Sequence, residues 1–196
     1  WSSDVCSSDL RPRMSTHYHP IAKGLHWLMA VAIVGMMALG LVMHEMPLSP
    51  EKLQCYSWHK WTGVSLFLLT WLRLMWRMAR PVPELPDTMP ALHQRLAHLG
   101  HAALYGLMIA IPLSGWLMSS AKGVQTVWFG VWPIPDLMSK DKALGELLAQ
   151  VHATLNGVLV AMLLGHIGAA LKHHFIDRDN ILHRMLPQFR KPSSET

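Results

Sequence analysis

The sequence predicts an all-α protein, a polytopic membrane four-helix bundle, and three observations carry that reading. Of 196 residues, 51% are apolar and only 15% charged, against roughly 25% charged in soluble globular domains; mean hydropathy is +0.22. Four stretches each supply the approximately 20 mostly apolar residues that cross about 30 Å of hydrocarbon. The cations of the connecting loops fall on one side. A net charge of +5 on so apolar a chain is too sparse for a nucleic-acid surface, and the composition excludes a disordered polymer. Cys6 and Cys55 stand far apart and form no C-x-x-C, which excludes a disulfide scaffold.

Residues 1–13 precede Met14, carry the near-repeat SSDVC/SSDL and lack an apolar targeting core; they read as a leader foreign to the fold, with the domain over 14–190. The first span is expected at about 21–43, with Lys23 and His26 near its start. The second, about 59–79, has Arg73 and Arg77 in its last turns, where long stems reach the headgroups. The third, about 98–120, contains Pro112, which membrane helices tolerate. The fourth, about 147–171, holds no Asp, Glu, Lys or Arg. The tail 173–196 mixes Phe175, Ile176, Ile181, Leu182, Met185 and Leu186 with charges and is expected at the cytoplasmic interface.

Arg13 and Lys23 precede span one or stand at its start; Arg73, Arg77, Arg80 and Arg95 lie between or near the facing ends of spans two and three; Lys172, Arg178, Arg184, Arg190 and Lys191 follow span four. The loops 44–58 and 121–146 contain Lys52, Lys122, Lys140 and Lys142 but no arginine. Both termini are therefore expected in the cytoplasm, with Trp27 and Trp76 inside and Trp58, Trp61, Trp128 and Trp132 outside as interfacial anchors.

Thirteen histidines in a chain poor in other polar groups need a reason, since ionisable groups inside a bilayer are costly and usually functional. His152 and His166 are 14 residues apart, about 21 Å along the helix and about 40° short of four full turns, so one face offers one imidazole to each leaflet. His26 lies level with His166, and His59 level with His152. Taken singly, each is more often a packing residue. An iron between the rings of each pair, inside an apolar macrocycle, explains all four. Both axial positions are then filled, which favours electron transfer over oxygen activation, and the absence of C-x-x-C-H makes the haem non-covalent and b-type. Zinc fits less well, because its three or four ligands converge on one ion. A proton relay lacks the membrane carboxylate that pumps use.

Spacing alone does not exclude His44, five turns from His26, or His98 and His101 at the start of span three. His44 beside Glu45 reads as solvated, and His98 and His101 read as propionate contacts or packing. His17, His19, His93, His173, His174 and His183 lie in polar flanks. Arg73, Arg77 and Lys23 are candidates to meet haem propionates inside, with Lys52, Lys60 and Lys122 weaker candidates outside. Gly63, Gly157 and Gly165 either admit a close approach or pack neutrally.

Several motifs together resemble the prokaryotic cytochrome b561 family: His26-Trp-Leu opening span one, His59 with Trp-Leu-Arg-Leu-Met-Trp-Arg at 71–77, Ala-His-Leu-Gly-His at 97–101, His152 and His166, and the closing His173-His174-Phe-x-x-x-Asp179-Asn180-x-Leu182-x-Arg184-Met185-Leu186-Pro187. The resemblance implies a four-helix inner-membrane carrier with two haems b, the inner held by His26 and His166 and the outer by His59 and His152. It also implies quinone as electron acceptor and, in some members, superoxide as donor, which would make the chain a superoxide:quinone oxidoreductase. Two other classes stand beside that reading: a haem b membrane subunit anchoring a separate dehydrogenase or hydrogenase, and a haem-free transporter.

Overall fold

A computed structural model describes residues 18–80, 83 and 89–186. The expected leader 1–13, with Cys6 and Arg13, lies outside the described residues, as do His17, Pro187, Arg190 and Lys191. Four long helices dominate: α1 (Pro20–Glu45), α2 (Pro50–Ala79), α3 (Ala91–Ala121) and α4 (Lys142–Lys172). Local chemistry starts three of them. Ser49 and Asp141 accept from the backbone N–H groups of Lys52 and Leu144, and the His19 ring accepts from that of Ile21. Pro20 and Pro50 occupy first-turn positions that need no donor. Pro112 sits inside α3 without ending it.

By length and composition α1, α3 and α4 can each cross a membrane; these helices contain the residues of the expected spans 21–43, 98–120 and 147–171. At 30 residues α2 is long enough, but Lys52, Lys60, Arg73 and Arg77 make it less apolar than the other three. Burial is inverted relative to a water-soluble bundle. The buried apolar side chains among the described residues are few (Met29, Leu66, Met89, Leu104, Ala121 and Leu159), whereas Val31, Val34 and Leu41 of α1 are exposed. Such a surface suits lipid, where helices pack by close contact and not by hiding apolar area from water.

Sequence neighbours pack together: α3 against α4 most extensively, then α1 against α2, then α2 against α3. The α1 and α4 backbones barely approach each other, nor do those of α2 and α4. After α3, Gly123 takes φ +67° and its N–H donates to the Ser120 carbonyl, closing the helix. A hairpin follows that the all-α expectation did not contain. Here β1 (Val127–Trp128) pairs antiparallel with β2 (Trp132–Pro133), Trp128 opposite Trp132. Two-residue strands are too short to write an alternating pattern into the sequence.

The hairpin is strapped to the first half of α2, about three turns in. Trp61 Nε1 donates to the Val127 carbonyl at 2.7 Å, Trp128 Nε1 to the Trp61 carbonyl at 3.2 Å, and Lys60 Nζ to the Val124 carbonyl at 3.0 Å. Its turn holds Phe129 at φ +51°, a left-handed conformation that costs a bulky residue on the order of 1–3 kcal/mol. Ring contacts to Trp61 at 5.5 Å and Trp128 at 5.2 Å offset that strain. At the other end, α4 runs into a π-helical turn (His173–Asp177) and a short α5 (Ile181–Met185).

Candidate functional site

α4 carries two of the four expected histidines, and each meets a ring from another helix. His26 of α1 faces His166 with ring centroids 6.3 Å apart and planes at 69°. His59 of α2 faces His152 with centroids 6.3 Å apart and planes at 72°. Two imidazoles on opposite sides of one metal ion, with bonds of about 2 Å, hold their ring centres about 6 Å apart. Both pairs have that separation, although the helices supplying them barely approach.

Supports for the rings come from elements far away in sequence. His152 Nδ1 lies 3.1 Å from the Ile111 carbonyl and 3.0 Å from Ser114 Oγ, and that hydroxyl itself donates to Ile111 at 2.7 Å. Two acceptors assign the proton to Nδ1 and leave the Nε2 lone pair free to ligate, the usual way an outer partner orients a metal-binding histidine. Gly115 makes this possible: a Cβ there would lie 3.2 Å from His152 Cε1. His59 Nδ1 is buried without a hydrogen-bond partner, so the protein's own groups leave that ring incompletely satisfied.

The competitors separate. His44 is exposed and pairs only with its neighbour, Nδ1 to Glu45 Oε1 at 2.9 Å, as expected of a solvated histidine. His98 is exposed on α3. His101 is closer to the site than its sequence position suggested: its ring centroid is 5.4 Å from that of His166, shorter than two ligands across one ion allow. Its Nδ1 donates to the Ala97 carbonyl at 2.7 Å.

Cations gather at the inner pair's end. Arg73 Nε donates to Tyr105 Oη at 3.0 Å. Burial pushes the Tyr18 phenol above its ordinary value, against the opposing pull of Arg77, Arg184 and Arg73 around it. No carboxylate pairs with Arg73 or Arg77 among the described residues, so that end is suited to an anion. Lys23, a candidate to meet a propionate, donates Nζ to the Leu186 carbonyl at 3.2 Å, and Trp27, expected as an interfacial anchor, donates to the Met185 carbonyl. Lys52, in the first turn of α2, is likewise tied to the Met46 carbonyl. Sequence reasoning missed Tyr18, Tyr105, Ile111, Ser114 and Gly115; the Ser-Gly step in an apolar span was the one available signal of close helix approach.

The sequence matches the profile of the prokaryotic cytochrome b561 family over residues 17–188. The chain belongs to that family. It is 36% identical over 177 residues to cytochrome b561 homolog 2 of Escherichia coli, covering 86% of this chain and 90% of that protein. It is 27% identical over 182 residues to a probable superoxide oxidase, CybB, of Yersinia pestis, covering 90% of this chain and 99% of that one. Cytochrome b561 homolog 1 of E. coli is 28% identical over 130 residues, 66% of this chain and 73% of its own length. This cytochrome b561 is thus a membrane haem protein of electron transport, and its histidine pairs fit the haem b that the family implies.

Proposed function

We propose that this cytochrome b561 is a four-helix di-haem electron carrier of the inner membrane, with both termini in the cytoplasm. It takes electrons from superoxide or another periplasmic donor and delivers them to quinone. His26 and His166 would hold the inner haem, His59 and His152 the outer. The observation that carries this reading is the equal 6.3 Å separation of the two ring pairs. When bound between these histidines, haem b would supply reversible one-electron chemistry.

The chain's own residues do the rest. Ile111 and Ser114 hold the His152 proton on Nδ1. Arg73 and Arg77 offer positive charge to carboxylates at the inner end, with Tyr105 fixing the direction of Arg73. Exposed Lys122, Lys140 and Lys142 lie in the loop and helix start on the outer side and attract an anionic donor. With superoxide as that donor, two superoxide ions are oxidised to two dioxygen molecules while one quinone takes two electrons and two protons to become quinol. The similarity to a protein named a superoxide oxidase supports this choice of donor.

The test is haem counting by optical and electron paramagnetic resonance spectra of purified His152→Ala and His166→Ala. Each should lose one haem, and not the same one. If either loses both while still folded, or neither loses any, the two-pair assignment is wrong.

A further inference from the structure

α1 and α4 supply the two rings of the inner pair, yet their backbones come within close range at few points if any, and the closing motif of the sequence lies between their ends. It builds a hook that leaves α4 and returns to α1. His173 follows His166 by seven residues, two turns on and on nearly the same face. One carboxylate then reverses the chain: Asp179 Oδ2 accepts from His173 Nδ1 at 2.7 Å, and Oδ1 accepts from the Ile181 N–H at 3.0 Å. Asp177 is tied back to Lys172 Nζ at 2.6 Å, and Arg178 makes the corner with φ +52°.

The last carbonyls of α5 and its cap, which have no partners within so short a helix, meet α1. Met185 accepts from Trp27 Nε1 at 3.0 Å, and Leu186 accepts from Lys23 Nζ at 3.2 Å. Lys23 is only 7% exposed, and an ammonium is costly to bury unless its partner is fixed. Both donors sit beside His26: Trp27 is the next residue, its ring 5.4 Å from the imidazole, and Lys23 is one turn earlier.

We propose that this hook sets the separation of the inner pair, with Lys23, Trp27, His173 and Asp179 as positioning residues that never touch the iron. The claim rests on His26 and His166 being the inner haem's ligands. Apart from the packing that runs from α1 through α2 and α3 to α4, the hook is the direct connection the hydrogen bonds give between the ends of the two helices that supply those rings.

The test uses the purified full chain as Lys23→Met/Trp27→Phe, as Asp179→Asn, and as Lys23→Arg with Trp27 intact for rescue. Two quantities are read. Tryptic cleavage after Arg178 and Arg184, followed by mass spectrometry, should be at least tenfold faster in the first two variants and near wild type in Lys23→Arg. The redox titration and paramagnetic signal of the inner haem, identified as the one missing from His166→Ala, should shift in the same two variants while the outer haem's stay put. Unchanged cleavage would overturn the hook. Faster cleavage with an unmoved inner signal, or with both signals moved alike, would overturn its positioning role. If His166→Ala removes no haem signal, the ligand assignment fails and the positioning role with it, and cleavage still reports whether the hook exists.

Discussion

Replacing Gly115 by alanine sets two known effects against each other at one atom. Within a helix, Gly→Ala is favourable by about 1 kcal/mol. The new Cβ would lie 3.2 Å from His152 Cε1 and 3.4 Å from Nδ1, so the ring must give by a few tenths of an ångström. The contact it would strain is the one to the Ile111 carbonyl, at 3.1 Å, and losing such a bond costs about 0.5–1.5 kcal/mol. The two terms nearly cancel, so the unfolding free energy of Gly115→Ala should stay within about 1 kcal/mol of wild type. Haem binding has no such compensation. Loss of an outer support to a ligating histidine typically weakens metal binding by about 10–100-fold. The assay is transfer of haem to an excess of apomyoglobin, resolved by the two haems' spectra. The outer haem should leave faster and the inner at the wild-type rate. Gly40→Ala is the control, because its Cβ would meet His59 Cε1 at an ordinary 3.6 Å. Equal outer-haem retention in Gly115→Ala, Gly40→Ala and wild type would refute the reasoning, as would loss of the inner haem instead.

His44→Ala should keep both haems, since its ring is exposed and bonded only to Glu45; haem counting checks this. His101→Leu should also keep both, and loss of the inner haem there, with His26→Ala retaining it, would transfer the ligand role to His101. Stopped-flow reduction by superoxide should slow with added salt, because attraction between exposed charges is screened. Lys122→Gln/Lys142→Gln should slow it roughly threefold at low salt, and a salt-independent rate would remove the outer lysines from donor capture.

The spans of α1, α3 and α4 were legible because a bilayer demands a long apolar run that composition alone reveals. α2 is harder to read from hydropathy, since Lys60, Arg73 and Arg77 dilute its apolar character while its length remains sufficient. The two histidine pairs were legible because a 14-residue interval on a rigid helix fixes both depth and direction. What supports them was not. Ile111, Ser114 and Gly115 reach His152 across about 40 residues of chain, and no local periodicity encodes such a contact. His101 was read as a propionate contact or packing residue at the start of span three, but its 5.4 Å approach to His166 depends on how α3 packs against α4. The hook was visible as a motif but not as a shape, because its turn rests on one carboxylate serving two elements.

α4 contributes one imidazole to each pair, and it is the last of the long helices in chain order. During synthesis the hairpin of α1 and α2 is complete long before α4 emerges, so His26 and His59 enter the membrane without partners. Neither pair exists until His152 and then His166 have followed. A chain stalled or cut short after α3 therefore carries His26 and His59 without the rings that face them. On the proposed ligand assignment, completion of α4 gates haem loading: only a chain that has made this helix offers both places, and the His59–His152 place is finished before the His26–His166 one.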